Sequence, residues 1–177
     1  MNRPKKKTQR KKNKMTNTKE EQHLKFIGLI KDVKTCMMMI KDEKGKLTAR
    51  PMNNAKVDDD GSVWFFTNEF SGKVAQISHE NEIFLTYASP SLNSYVAFNA
   101  VAELNDEKTK IDELWTPDMK AWFPEGKEDP KILLIHAKPI EAEYWDHSSS
   151  KIIMLFNMIK SAVTGKYTEG EHATLKL

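Results

Sequence analysis

The chain has a single cysteine, a single arginine beyond its first fourteen residues, and no apolar run long enough to cross a membrane. Cys36 alone cannot form an internal disulfide, and it fits a reducing compartment such as the cytoplasm. The phosphate-binding motifs G-x-G-x-x-G and G-x-x-x-x-G-K-[ST] are both missing, so neither a Rossmann nor a P-loop nucleotide site is indicated. The five histidines lack the spacing of metal ligands, and no metal site is expected.

Charge is distributed unevenly along the 177 residues, a length that fits one domain. Residues 1–14 carry eight cations and no acid, whereas the remainder carries 20 cations and 25 acids. We expect a basic, disordered tail over 1–17 and a mildly acidic folded domain over 18–177. The tail could instead contact nucleic acid or an anionic surface, or precede a true start at Met15. We do not expect this tail to be a signal peptide, because no apolar segment follows it. A nucleic-acid partner is not expected either, because the domain offers no basic face.

Hydrophobic periodicity predicts a mainly β fold with flanking helices, an α+β class. Strands are expected over 35–40, 46–57, 62–67, 83–88, 95–104 and 131–144. Helices are expected over 18–32 from a capping box at Thr18, from Ser71 as N-cap, over 106–122 with a break at Pro117, and over 151–163. Closely spaced strands joined by Asp/Gly turns are typical of an antiparallel meander or barrel.

Arg50 is the sole arginine among residues 15–177, which contain nineteen lysines. Arginine is suited to planar, two-pronged binding of a phosphate or carboxylate, for which lysine is a poor substitute. The neighbouring Pro51 lacks a backbone donor and favours an edge strand or a bulge, where the guanidinium could face a cleft. An ordinary salt bridge between Arg50 and an acid is the alternative.

Lys73 lies in the first turn of a predicted helix, where free amides and the helix dipole favour an anion. Thr67 ends the preceding strand with a hydroxyl, and residues 64–66 supply flat aromatic surface. These features together indicate a site for a phosphate attached to an aromatic heterocycle. Core packing is the alternative for the aromatic run. Cys36 and His136 are interpreted as structural residues, and the sequence offers no side-chain acid or base for catalysis.

Thr48–Met52, Val63–Asn68 and Ser71–Ile77 resemble the flavin-binding core of pyridoxamine 5′-phosphate oxidase-like proteins. The bacterial general stress protein branch is the closer match, on segments 95–104, 113–117, 120–126 and 143–146. The resemblance covers about residues 18–177, and it rests on the order and spacing of these segments.

The resemblance implies a six-stranded antiparallel split β-barrel that forms a homodimer, with FMN (FAD possible) at the subunit interface. Arg50 and Lys73 would then hold the flavin phosphate. Tyr95 falls where larger oxidases place a ring-contacting glutamine, and Trp122 would cover the ring from the partner subunit. The complete set of implied flavin contacts is Arg50, Pro51, Met52, Phe66, Thr67, Ser71, Lys73, Tyr95 and Trp122.

Departures from the oxidase pattern limit the implied activity. The oxidases have an Arg-Lys pair where this chain has Gly72-Lys73, and their substrate-side lysine falls on Ala55. The C-terminal segment here contains no arginine for a second phosphate, so vitamin B6 oxidation is not expected. A flavin-dependent oxidoreductase of unknown substrate is the leading hypothesis. The alternatives are a non-catalytic flavin store or sensor, and a scaffold whose basic tail binds nucleic acid.

Overall fold

The computed structural model describes residues 5–146 and 171–177, with side chains from residue 19 to 146 and from 172 to 177. The helices in these ranges are α1 (Lys5–Val33), α2 (Gly72–His79), α3 (Lys108–Leu114) and a short 3-10 helix (Pro117–Ala121). The strands are β1 (Thr35–Lys41), β2 (Leu47–Asn53), β3 (Lys56–Val57), β4 (Val63–Asn68), β5 (Glu82–Ser89), β6 (Ser94–Asn105), β7 (Ile132–Asp146) and β8 (Glu171–Lys176).

All eight described strands belong to one antiparallel sheet, in which seven follow the order β2-β1-β5-β6-β7-β4-β3 and β8 pairs with β7. The long strand β7 pairs with β6 along one side, and with β4 and then β8 along the other. The sheet curls into a half-barrel, which brings β2 near β4 although no pairing joins these two strands among the described residues. The gap between β2 and β4 is the opening of the barrel.

Alternating side chains of the curled sheet form the main core. Val96, Phe98, Ala100 and Ala102 of β6 are all buried, as the period-two pattern of that strand predicts. Helix α1 closes one end of the barrel with Phe26, whose ring meets the ring of Phe98 edge-on at 5.2 Å. Burial of these large side chains anchors the last turns of α1 to the sheet.

Gly61 controls how closely α1 approaches the β3–β4 turn. Its φ of +85° lies in the left-handed region, and a Cβ there would stand 2.8 Å from the Phe26 Cε1 atom. Only glycine meets both requirements without strain. The predicted Asp58–Gly61 turn is confirmed, because the Gly61 amide donates to the carbonyl of Asp58 at 3.1 Å.

A second, smaller core covers the outer face of β4 and β7. Ile111 and Leu114 of α3, together with Phe123 after the 3-10 helix, pack against Trp64 and Leu134. Strand β4 is therefore buried on both of its faces, which explains its unbroken run of aromatic residues. The predicted break of the 106–122 helix at Pro117 is confirmed.

Three sequence expectations differ from the structure. The first helix begins at Lys5 instead of Thr18, because residues 5–17 contain no glycine or proline to stop it. The expected strand 46–57 is divided at Asn54. Its backbone N–H donates to the Lys34 carbonyl at 2.7 Å, and its side-chain amide donates to the Ile30 carbonyl at 2.9 Å. With β3 separated and β8 added, the sheet has eight strands where six were expected.

Two further expectations concern parts of the chain at its ends. The helix expected over 151–163 lies outside the described residues. The division into a tail over 1–17 and a domain over 18–177 stays a prediction. Among the helices that the structure describes, none is long and apolar enough to cross a membrane.

Candidate functional site

A cavity of about 300 Å³ opens in the gap between β2 and β4, next to the start of α2 and the 3-10 helix. Its volume falls at the lower end of the range for small-molecule sites. The lining residues are Pro51, Met52, Asn53, Phe66, Thr67, Asn68, Lys73, Met119, Trp122 and Phe123.

Pro51 forms the outer edge of this cavity. Among the described strands, β2 is an edge strand that pairs with β1 alone, with Pro51 opposite Met37, so the edge position predicted from proline is confirmed. A proline has no N–H to offer a further strand, which helps keep the β2–β4 gap open. Met52 points inward and is buried, whereas Pro51 and Asn53 are exposed at the mouth.

Lys73 reaches the cavity from the first turn of α2. Its side chain is half-buried, and burial lowers its pKa below the ordinary lysine value. The positive charge of Arg50 lowers the pKa further. No ion pair or hydrogen bond of the Lys73 ammonium is found within the described ranges. An anion bound in the cavity would raise the pKa of Lys73 again, because its negative charge offsets both the burial of the ammonium and the repulsion by Arg50.

Arg50 lies beside the cavity on the inward side of β2. Its Nη1 donates to the Oε1 of Gln76 at 3.1 Å, and its Nη2 lies 3.7 Å from where a Cβ on Gly72 would stand. The salt bridge considered as an alternative is not observed, because Arg50 pairs with no carboxylate in residues 19–146 or 172–177. Arg50 and Lys73 are therefore adjacent cations without a counter-ion in the described part of the protein.

Ser71 and Thr67 join the end of β4 to the start of α2. Ser71 occupies the N-cap position, as predicted, with φ −72° and ψ 140°. Its hydroxyl makes no cap bond and instead lies 3.1 Å from the Thr67 hydroxyl. The amides of the first turn therefore have no side-chain acceptor from Ser71, and they add a partial positive charge beside Lys73.

Aromatic side chains form the apolar wall of the cavity. Phe66 meets Trp115 nearly edge-on at 6.1 Å and Phe123 at 6.2 Å. Trp122 is 62% exposed, although it lines the cavity. It does so within its own chain, and the expectation that Trp122 covers the ring from the partner subunit stays a prediction.

The predicted site residues divide into three groups. Six line the cavity: Pro51, Met52, Phe66, Thr67, Lys73 and Trp122. Arg50 and Ser71 stand directly behind it, through their interactions with Lys73 and Thr67. Tyr95 is elsewhere, on the outward side of β6 opposite Ala88 and Trp145.

Five residues of the site were not predicted. Asn53, Asn68, Met119 and Phe123 line the cavity, and Gln76 holds Arg50. Asn68 and Phe123 lie in segments that carry the family resemblance, which was the available signal for them. Gln76 also lies in such a segment, Ser71–Ile77, but its bond to Arg50 depends on how α2 packs over β2. The contact of Met119 with the cavity likewise depends on how separate elements pack.

Two reactive side chains lie apart from the cavity. Cys36 is 2% exposed, and burial raises its pKa to about 12, so the thiol stays protonated. His136 stacks on Trp64 with the ring centroids 3.9 Å apart, and burial lowers its pKa. Cys36 is buried, as its structural interpretation requires. The structural interpretation of His136 stays a prediction, because its buried Nε2 has no hydrogen-bond partner among the described residues. The described residues contain no group of three or more metal-ligating side chains.

Comparison with protein families gives one match over most of the chain. A family model described as pyridoxamine 5′-phosphate oxidase like matches residues 21–169. No curated protein sequence is a significant match.

Solved structures share the fold. A Clostridium acetobutylicum protein related to general stress protein 26 has a TM-score of 0.68 at 18% identity, covering 89% of this chain and 96% of that one. A candidate general stress protein 26 from Jannaschia sp. has a TM-score of 0.76 at 23% identity, covering 89% and 99%. A general stress FMN/FAD binding protein from Xanthomonas citri has a TM-score of 0.63 at 26% identity, covering 76% and 92%. The predicted split-barrel fold is confirmed.

Proposed function

The chain belongs to the pyridoxamine 5′-phosphate oxidase-like family, and we propose that it is a general-stress-type protein that binds FMN in the cavity between β2 and β4. Arg50 and Lys73 hold the phosphate in this proposal. The relative from Xanthomonas citri, described as an FMN/FAD binding protein, supports a flavin as ligand. FAD is the second candidate cofactor.

The observation that carries the proposal is the uncompensated charge of Arg50 and Lys73. Two cations placed side by side repel each other, and half-burial of the lysine adds to the cost. A phosphate dianion would offset that cost, and the free amides at the start of α2 would add to its binding. Thr67 lines the same cavity, and its hydroxyl lies 3.1 Å from that of Ser71, so hydroxyl groups are available beside Lys73.

The remaining lining residues fit a planar ring system. Phe66 and Trp122 offer apolar surface, and the backbone of Arg50–Met52 offers polar groups along the unpaired edge of β2. When bound, the flavin would supply the redox chemistry, while the protein positions it. Among the described residues, Lys73 is the only titratable side chain that lines the cavity, so no protein acid or base is assigned to a reaction.

A homodimer would place the flavin at a subunit interface. The outward side of β1, β5 and β6 is poor in charge and carries Met37, 41% exposed, and Tyr95, 38% exposed. Met37 is the register partner of Pro51, so this face adjoins the cavity mouth. A second copy that covers the face would bury its apolar side chains and bring Tyr95 near the partner's flavin.

We propose a flavin-dependent oxidoreductase of unknown substrate, and not a pyridoxamine-phosphate oxidase, as the activity. A flavin store or sensor is the second candidate, and the absence of an assigned acid or base near the cavity favours it. The buried free thiol of Cys36 supports a cytoplasmic location.

Titration of the purified full chain with FMN tests the binding proposal. Flavin fluorescence should be quenched to saturation at equal numbers of flavin and chain, and light scattering should give the mass of a dimer. A colourless protein that takes up no added FMN would contradict the proposal. Turnover with a reduced nicotinamide by the flavin-loaded protein separates an oxidoreductase from a store or sensor.

A further inference from the structure

Gln76 is the only side chain that holds the Arg50 guanidinium in the described part of the chain. It lies one helical turn after Lys73 on α2, so the same helix carries the second cation and the acceptor for the first. The Nη1–Oε1 distance is 3.1 Å. Because arginine has no acceptor, the amide oxygen of Gln76, and not its nitrogen, must face Arg50.

A second strand residue also reaches this amide. The Thr48 hydroxyl lies 3.4 Å from Gln76 Oε1 and 3.2 Å from the Ile40 carbonyl. A hydroxyl has one proton, and the nearer acceptor is the Ile40 carbonyl, which leaves Arg50 as the principal donor to Gln76. The amide therefore bridges α2 to β2 mainly through the guanidinium.

The chemistry of the acceptor matters for the charge of the site. A glutamate has nearly the shape of glutamine and would bind Arg50 more strongly, but it would neutralise the arginine. The amide restrains the guanidinium at one nitrogen and leaves its full positive charge, and its other nitrogens, available to an anion. Arg50 pairs with no carboxylate in residues 19–146 or 172–177, so its charge is not compensated within the described part of the chain.

We propose that Gln76 is a positioning residue that orients Arg50 for the flavin phosphate while leaving the positive charge of the site intact. This inference rests on the proposed binding of FMN. By orienting Arg50, Gln76 would help the protein to discriminate FMN from riboflavin, which has the same ring system without the phosphate.

The test compares FMN and riboflavin binding to the full-length protein and to the Gln76→Glu variant, by quenching of flavin fluorescence. FMN affinity should fall by about tenfold or more, because a carboxylate both neutralises Arg50 and repels the phosphate. Riboflavin affinity should stay unchanged. Gln76→Leu, which removes the acceptor without adding charge, should weaken FMN by a smaller factor.

Ala75→Glu is the matched control, since it adds the same charge to an exposed position of the same helix. It should leave the FMN-to-riboflavin ratio unchanged. Retained riboflavin binding by Gln76→Glu shows that the variant is folded.

Two results would overturn the inference. If Gln76→Glu keeps the wild-type ratio of FMN to riboflavin affinity, or loses both ligands equally, the role assigned to Gln76 is wrong while the proposed flavin site can stand. If the wild-type protein binds neither flavin, the proposed function is wrong and the inference fails with it.

Discussion

Arg50 lowers the pKa of Lys73. Burial lowers the pKa of the Lys73 ammonium more than Arg50 does, and both act in the same direction. Keeping the two positive charges next to each other therefore costs free energy in the empty protein. Binding sites often contain residues that destabilise the empty protein and whose charge is compensated when the ligand binds. The relationship between Arg50 and Lys73 leads to opposite predictions for the empty and the flavin-loaded protein.

Replacing Lys73 by methionine should stabilise the empty protein and weaken FMN binding. The half-buried ammonium is lost, so we expect the free energy of unfolding to rise by up to about 1 kcal/mol. The phosphate loses a charged partner, so FMN affinity should fall by about tenfold. Thermal unfolding with and without FMN measures both effects. Lys44→Met, in the exposed β1–β2 turn, is the control and should change neither; a destabilised empty Lys73→Met protein would contradict the prediction.

As the pH rises, FMN binding should weaken at a lower pH than it would if Lys73 had the ordinary lysine pKa. The pKa of Lys73 in the empty protein lies below 10.5, so the ammonium is lost as the pH rises through that lowered value. The phosphate is fully ionised in this range, and ionisation of the flavin ring affects FMN and riboflavin alike. The ratio of the two affinities should therefore fall with rising pH. Lys73→Arg should keep the ratio constant over the same range, and a wild-type ratio that does not change would refute the assignment.

Trp122 should act on the ring and not on the phosphate. Trp122→Ala should weaken FMN and riboflavin by the same factor, about tenfold, because the indole offers aromatic surface to both ligands. Phe70 is the matched control, since it is 77% exposed and does not line the cavity. Phe70→Ala should leave both affinities unchanged. A loss confined to FMN would show that Trp122 acts near the phosphate instead.

Replacing Gly45 and Gly61 by alanine should distinguish the cost of backbone strain from the cost of a steric clash. Gly45 and Gly61 have φ of +75° and +85°, but a Cβ meets nothing within 4 Å at Gly45 and meets Phe26 at 2.8 Å at Gly61. Gly45→Ala should cost about 1 kcal/mol, the penalty of the left-handed conformation alone. Gly61→Ala should cost roughly 2 to 4 kcal/mol, since displacement of Phe26 adds to it. Denaturant unfolding measures both, and equal costs would show that Phe26 moves freely.

The sequence predicted most of the fold because the local patterns were strong. The alternation of side chains along β6 predicted which side of the strand is buried, and Pro51 predicted that β2 lies at an edge of the sheet. The eighth strand was missed because β8 forms only by pairing with distant β7. The division of the second strand was missed because it depends on bonds from the backbone and the side chain of Asn54 to the carbonyls of Lys34 and Ile30, at the end of α1.

The sequence predicted those residues of the candidate site whose role follows from their own side chain and their immediate neighbours in the chain. The rarity of Arg50 and the position of Lys73 at a helix start could be read directly from the sequence. Gln76 could not, because an unremarkable glutamine acquires its role from the packing of α2 over β2. Tyr95 was assigned from the resemblance alone, and within one chain it lies away from the cavity.

The most direct measurement is the affinity of the Arg50→Ala variant for FMN and for riboflavin, set against the wild-type protein. FMN affinity should fall by roughly tenfold to a hundredfold, as expected for loss of a charged hydrogen-bonding partner, while riboflavin affinity stays at the wild-type value. An equal loss of both ligands, or no loss of either, would contradict the placement of the flavin phosphate at Arg50 and Lys73.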